Sequence, residues 1–122
     1  MKRELAASEW ESFLQSFSLQ HDGWLVTVES LEGTERRIDA SNEPLEGITS
    51  RGGSGSAGQI VLTVGGSVAS HQRFVIDGPV HLRLESENDV DHALEIEGAD
   101  GKVTRVVFRS AIAPELVDGI MP

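Results

Sequence analysis

The chain contains no cysteine and no tyrosine. The absence of cysteine excludes disulfides, thiolate metal sites and thiol catalysis, although it does not fix the cellular compartment. Aromatic residues make up only 5% of the 122 residues. Surfaces that stack nucleotide bases usually need several exposed aromatic side chains. The composition therefore argues against a base-stacking surface.

Long apolar runs and an excess of positive charge are also missing. No stretch approaches the ~20 apolar residues that a membrane helix needs. Residues 1–4 turn polar at once, without the apolar segment of a secretory signal. The 20 acidic and 10 basic residues give a net charge of -10, which nucleic acid and anionic membranes repel. We therefore expect a cytoplasmic protein with no nucleic acid or membrane partner.

One helix has a clear signature near the start of the chain. Ser8 followed by Glu11 is typical of a capping box, in which the two side chains satisfy early backbone N–H groups. An apolar stripe with i, i+3, i+4 and i+7 spacing follows, formed by Trp10, Phe13, Leu14 and Phe17. Because a short helix is marginal alone, we predict a helix over about 8–18 that docks on the rest of the domain.

After Gly23 the hydrophobic period changes from helical to alternating. Strands are predicted near residues 24–28, 59–64, 73–76, 80–85, 92–97 and 103–109, with a more polar one near 34–40. Pro44 cannot donate to a ladder, which predicts a bend or a strand start. Strands that follow one another directly are mostly antiparallel. The expected fold class is therefore α+β, with an N-terminal amphipathic helix on a curved, mainly antiparallel sheet or small barrel of about six or seven strands.

Residues 1–122 are predicted to form a single domain with two less regular segments. The glycine- and serine-rich segment 51–58 is expected to be a flexible loop. It lacks the lysine and the following helix of a phosphate-binding loop. The tail 110–122 is apolar enough to pack on the body or on another copy.

The register of the last two strands can be predicted from charge and polarity. A two-residue turn at Asp100-Gly101 would mix apolar and charged groups on each face, which a half-buried sheet resists. A three-residue loop over 99–101, with Gly101 in the left-handed region, separates them. That loop sets three pairs: Leu94 opposite Val106, Ile96 opposite Thr104 and Glu95 opposite Arg105.

A hairpin around residues 77–79 would place Arg73 directly opposite Arg83. Like charges across a ladder are unfavourable. Either the two strands diverge, or the two arginines hold an anion. Because alternate residues of a strand share a face, further basic side chains are expected beside these arginines. The candidate anion site therefore consists of Arg73, His81, Arg83 and Arg105.

An acidic segment without any base separates two of the predicted strands. It contains Glu85, Glu87, Asp89 and Asp91. The spacing lacks the central glycine and the later glutamate of a calcium loop. We interpret it as a solvated turn that could meet a basic protein partner. The four histidines are scattered, so neither a metal site nor a cofactor is predicted.

Several segments of the chain are similar to one bacterial family. They are Trp10 with Phe13 and Leu14, the runs 23–28 and 44–48, and Asp100-Gly101 before the last strand. On these segments the chain resembles the uncharacterised proteins of domain-of-unknown-function family 5335. The resemblance implies a small α+β domain, and it supplies no catalytic residue or function.

Three functions are compatible with these features. The first is a non-enzymatic interaction or structural module that forms homo-oligomers, since small β domains must protect their sheet edges. The second is a binder of a small anionic ligand, conceivably an enzyme, at the arginine and histidine patch. The third is an adaptor whose acidic segment meets a basic protein. We expect the first, because no catalytic motif is present.

Overall fold

The computed structural model describes residues 1–52, 55, 58–65, 71–88 and 90–109. Among these residues, eight strands form one antiparallel sheet in the order β1-β6-β7-β8-β2-β3-β4-β5, and the sheet is not closed. The described elements are β1 (Lys2–Glu4), a 3-10 turn (Ala7–Glu9), α1 (Trp10–Gln20), β2 (Leu25–Glu32), β3 (Glu35–Arg51), β4 (Gln59–Val64), β5 (Gln72–Asp77), β6 (Pro79–Glu87), β7 (Val90–Gly98) and β8 (Val103–Arg109).

The α+β class and the antiparallel sheet are confirmed, whereas the strand count and the barrel alternative are corrected. The count rises to eight because β1, which has only three exposed polar residues, carries no alternating apolar signal. In addition, the predicted strand 34–40 and the run after Pro44 are parts of one 17-residue strand, β3.

Helix α1 begins two residues later than predicted, and the capping box is wrong. Ser8 lies in the preceding 3-10 turn, and no side-chain hydrogen bond caps either segment. The apolar stripe is confirmed, since Trp10, Leu14 and Phe17 are buried and Phe13 packs against the core from a half-buried position. The stripe therefore fixes the docked face of the helix.

β3 continues through Pro44, where the sequence predicts a bend or a strand start, and it changes its partner strand there. Its first half pairs with β2 and its second half with β4. The ladder with β2 is irregular between Val26 and Val28, opposite a segment in which Asn42 has a φ of 53°. A further register shift lies between Leu45 and Gly47. These bulges turn the strand away from β2, so the second half of β3 has one side without a strand neighbour.

The predicted register of β7 and β8 is confirmed. Leu94 pairs with Val106, Ile96 with Thr104 and Glu95 with Arg105. In the connecting loop Gly101 has a φ of 85°, the left-handed conformation that the three-residue loop requires.

β5 and β6 share no ladder among the described residues. β5 pairs with β4, which sets Arg73 opposite Thr63, and β6 pairs with β1 and β7, which sets Arg83 opposite Glu95. The two strands diverge after Asp77, so the arginine repulsion of a direct hairpin does not arise.

The hydrophobic core lies between α1 and the inner face of the curved sheet. Buried residues alternate along most strands, such as Ile60, Leu62 and Val64 of β4. α1 packs mainly on β3, and Trp10 Nε1 donates a hydrogen bond of 2.9 Å to the Leu5 carbonyl oxygen. The predicted loop 51–58 is described only in part, and the tail 110–122 lies outside the described residues.

Ser18 joins α1 to the open side of β3. Its Oγ accepts a 2.9 Å hydrogen bond from the Ile48 N–H. The same hydroxyl lies 2.9 Å from the Ile48 carbonyl oxygen and 2.8 Å from the Leu14 carbonyl oxygen, to which it can donate. One side chain thus gives the backbone of Ile48 a partner on the side of β3 that has no strand neighbour among the described residues, and it sets the distance between helix and strand.

Replacing this hydroxyl should destabilise the fold measurably. In Ser18→Ala, Ile48 loses its partner in a partly buried place, which costs about 1–3 kcal/mol of unfolding free energy. Urea unfolding followed by tryptophan fluorescence measures the change. Ser12→Ala is the control, because its Oγ contacts only the exposed Glu9 carbonyl oxygen at 3.3 Å. Equal stability of the two variants would contradict this role of Ser18.

Candidate functional site

The outer face of the sheet carries a row of directly opposed charges that alternate in sign. The row crosses β1, β6, β7, β8 and β2, and we call it the charged row: Glu4, Arg83, Glu95, Arg105 and Glu29. Cross-strand pairs of opposite charge favour the observed register, whereas like charges oppose it. The alternation therefore ties five strands together in one registration.

Arg83 contacts three carboxylates of the outer face. Its Nη1 lies 2.9 Å from Glu95 and 3.1 Å from Glu97, and its Nε lies 3.6 Å from Glu4. Burial opposes the charged form of Arg83, but the hydrogen bonds that Arg83 donates to Glu97 and Glu95 outweigh this effect and raise its pKa. The guanidinium thus stays protonated, and carboxylates of the same sheet balance its charge.

Arg105 is held in the same way on β8. Its guanidinium donates to both carboxylate oxygens of Glu85, at 2.9 and 3.1 Å, and Glu29 lies 3.5 Å away. The hydrogen bond from Arg105 holds the pKa of the nearly buried Glu85 below its ordinary value. The bond to Glu85 raises the pKa of Arg105 in turn. Two parallel hydrogen bonds between ionised groups make this pair a strong contact of the outer face.

The structure brings three of the four predicted anion-site residues onto one face. His81 contacts Glu4 at 2.6 Å, and Arg83 and Arg105 bind the carboxylates described above. The pKa of Glu4 is lowered, chiefly by its hydrogen bond with His81. The fourth residue, Arg73, lies apart on β5. Anion binding at this patch remains a prediction, which the geometry does not favour because the cations already bind carboxylates.

Two carboxylates of the charged row, Glu4 and Glu29, could not be predicted from the sequence, because their positions depend on pairing between distant strands. Glu4 lies on the short β1, which has no alternating pattern, and Glu29 faces Arg105 only because β8 pairs with β2. The sequence did predict one pair of this row, because the three-residue loop over 99–101 sets Glu95 opposite Arg105.

The predicted acidic surface is divided by the fold. Glu85 is nearly buried and binds Arg105, with His92 Nε2 3.7 Å away. Glu87 and Asp91 are exposed beside the β6–β7 turn, and Asp89 lies outside the described residues. Only the tip of this segment can therefore meet a basic partner, and that function stays a prediction.

No group of three or more metal-ligating side chains comes together among the described residues. The histidines are separated by the fold: His21 is stacked on Phe17 with a centroid distance of 4.1 Å, and His71 contacts Glu46 at 3.1 Å. His81 and His92 contact carboxylates on the outer face. In the described part of the chain, no helix has the length and apolar character required to cross a membrane.

β5 presents the longer free edge of the described sheet. It stands at the end of the strand order, and its other side has no strand neighbour there. Arg73, Val75 and Asp77 are exposed along one face, and Val75 retains 43% of its accessible surface. A cavity of about 260 Å³ lies beside this edge, and Ser30, Asp39, Arg73 and Lys102 are among its lining residues. Backbone and side chains of β5 are thus accessible together.

The chain belongs to a family of unknown function, DUF5335, whose model matches residues 1–116. The match confirms the family resemblance that the core and turn residues indicated. No curated protein and no solved structure matches the chain.

The Arg105 pair should give a measurable pH dependence of stability. Because the pKa of Glu85 is lowered from 4.5, its stabilising effect is complete above that value and is lost as the pH falls through the folded-state pKa. Arg105→Met leaves Glu85 and Glu29 without this cation. We expect it to cost about 1.5–3 kcal/mol near neutral pH, with the difference from the unmodified chain shrinking below about pH 4.5.

Urea unfolding at a series of pH values measures this difference. Arg3→Met is the control, since Arg3 is exposed on β1 and makes no salt bridge with the described residues. A difference for Arg105→Met that is small, or that stays constant from neutral to acidic pH, would contradict the role assigned to the pair.

Proposed function

We propose that this protein is an interaction module that self-associates by pairing β5 with β5 of a second copy. The observation that carries the proposal is the orientation of the free backbone groups of β5. An edge strand with unpaired N–H and C=O groups is a template for a further strand, and a second copy of the same edge provides one.

The contact between Ser18 and Ile48 indicates which β5 residues direct their backbone groups outward. Because the Ile48 backbone faces Ser18, the Ile48–Leu62 pair of β3 and β4 is not hydrogen-bonded. Leu62 therefore turns its N–H and C=O toward β5, where it pairs with Phe74. Because backbone direction alternates along a strand, the N–H and C=O groups of Arg73, Val75 and Asp77 point away from β4. Gly78 should then point toward β4, and its N–H does donate a 3.0 Å hydrogen bond to the Gly58 carbonyl oxygen.

An antiparallel pair of β5 strands in the matching phase is complementary in charge. A register with Val75 on the two-fold axis sets it opposite Val75 of the second copy. Arg73 then faces Asp77 of the second copy, and Asp77 faces its Arg73, so each dimer gains two opposite-charge pairs. Arg73 makes no salt bridge with the described residues of its own chain. This register thus gives the outward backbone groups hydrogen-bond partners, and it gives Arg73 a carboxylate partner.

The other face of β5 supports the same pairing. Phe74 and Ile76 are partly buried and pack against the core. In the proposed register Phe74 lies opposite Ile76 of the second copy, and Ile76 lies opposite its Phe74. The apolar layer therefore continues across the two-fold axis. Continuing the sheet over two copies therefore matches apolar groups on one face and charged groups on the other, as stable sheets require.

Proline at the central position should separate the two copies. Val75→Pro removes an N–H that faces away from β4, a position at which edge strands tolerate proline. Two intermolecular hydrogen bonds are lost, so we expect the dimer dissociation constant to rise at least about tenfold. Sedimentation velocity over a concentration series measures it.

Val75→Thr is the matched control, because it retains the N–H and should retain the dimer. Circular dichroism verifies that both variants are folded. A chain that is monomeric without substitution, or a Val75→Pro variant that dimerises as tightly as the control, would refute the proposed pairing.

Reversing the charges tests the register separately. Asp77→Arg should weaken the dimer, because two arginines then face each other at both symmetric positions. The double variant Arg73→Asp with Asp77→Arg should restore it, since the opposite-charge pairs are re-formed with exchanged signs. The hydrogen bond from Gln59 to Asp77 is lost in both, so it cancels in the comparison. Failure of the double variant to recover would exclude this register.

A further inference from the structure

Among the described residues, the second half of β3 has no strand neighbour on the side that faces α1, and Ser50 on that side is largely buried, with 7% of its surface exposed. A cavity of about 490 Å³ opens there, within the size range of ligand pockets. α1 contributes Glu11, Gln15 and Leu19 to its lining, and β3 contributes Ser50 and Arg51. None of these residues belongs to the charged row or to β5.

The backbone of Ser50 faces this cavity. Along the open side of β3, the Leu45 N–H donates to Trp24 O at 2.8 Å, and Leu45 O accepts from the Gly23 N–H at 2.9 Å. Ile48 is satisfied by Ser18, as described above. Since β3 and β4 pair without a shift from Gly47 to Arg51, alternation turns the Ser50 N–H and C=O to the same side as those of Ile48. They point toward α1, where the cavity lies.

The side chains around Ser50 provide complementary chemistry. Leu19 is 78% exposed, which is unusual for a large apolar residue and gives the cavity an apolar wall. Arg51 is exposed and makes no salt bridge with the described residues. Gln15 adds an amide and Glu11 a carboxylate. A backbone donor and acceptor, an apolar wall and a cation that has no salt bridge in the described part of the chain therefore line one cavity.

We propose that this cavity binds a short extended peptide that carries an apolar residue next to a carboxylate. The peptide backbone would add to the edge of β3 at Ser50, in the manner of strand addition between a helix and a sheet edge. Its apolar side chain would pack on Leu19 and its carboxylate would bind Arg51. Glu11 disfavours a second acidic group in the cavity, which limits the acidic residue to the Arg51 side.

The donor and acceptor on one residue favour a peptide over a simple anion. A free carboxylate or phosphate would use Arg51 but would leave the Ser50 carbonyl oxygen without a donor. An extended peptide offers an N–H and a C=O at the spacing of a strand, so it satisfies both backbone groups at once. The site is on β3, on the side opposite its β4 ladder, and it is therefore separate from the self-pairing of β5.

The probe is the tetrapeptide acetyl-Val-Leu-Val-Asp with a free C-terminal carboxylate, titrated into the ¹⁵N-labelled full chain. We expect saturable shifts of the Ser50, Gln15 and Arg51 amide signals. Two peptides N-methylated at the leucine or at the following valine serve as backbone controls. Because alternate residues of a strand face the same neighbour, one of the two should lose binding and the other should keep it.

Substitutions then test the side chains. Arg51→Glu should weaken peptide binding at least about tenfold, since a charge-assisted hydrogen bond is replaced by repulsion. Arg3→Glu is the matched control with the same charge change on an exposed residue of β1, and it should bind normally. The Val75→Pro chain should also bind normally, which separates this site from the self-association proposed above.

Four results would overturn the peptide site. They are the absence of saturable shifts at Ser50, unimpaired binding of both N-methylated peptides, unimpaired binding by Arg51→Glu, and the same shifts with sodium acetate alone. The last result would identify a small-anion contact at Arg51 in place of strand addition.

Discussion

The change of partner strand along β3 near Pro44 determines which backbone groups of this chain can meet a partner. Before Pro44, β3 pairs with β2, and after it β3 pairs with β4. The change of partner leaves one side of its second half open, and α1 covers part of that side through Ser18. The same contact shows which backbone groups of β4 and β5 face each other and which ones of β5 point outward. Both proposed interaction edges therefore follow from how one strand changes its neighbour.

The outer face shows how an acidic chain distributes its few cations. Lys2, Arg83 and Arg105 are paired with carboxylates of the sheet, so their charge supports strand registration. Arg51 and Arg73 make no such pairs among the described residues, and each stands beside a free backbone edge. At these two positions an exposed cation is located where a carboxylate from a partner would meet it.

The sequence predicted well what local chemistry decides. The helix stripe from Trp10 to Phe17 and the left-handed Gly101 follow from spacing or from the backbone restrictions of single residues. The Glu95–Arg105 register followed from separating apolar and charged faces. For β7 and β8, which are adjacent in sequence, side-chain periodicity was sufficient to predict the register.

Features set by long-range pairing could not be predicted in this way. β1 is only three polar residues long and exists because β6 offers an edge to Lys2–Glu4. Ser8 was expected to cap α1, but the chain forms a 3-10 turn first, and Trp10 is positioned by its bond to Leu5. The matching of Arg83 and Arg105 to carboxylates likewise depends on β6, β7, β8 and β2 being neighbours. The anion patch was inferred without those neighbours.

The most direct test of the account is amide hydrogen exchange of β5 as a function of protein concentration. If two copies pair through β5, protection of the Arg73, Val75 and Asp77 amides should rise with concentration, because these N–H groups face the second copy. The Phe74 and Ile76 amides, which face β4, should show far less change. Exchange of Arg73, Val75 and Asp77 that stays fast at every concentration would contradict self-pairing through this edge.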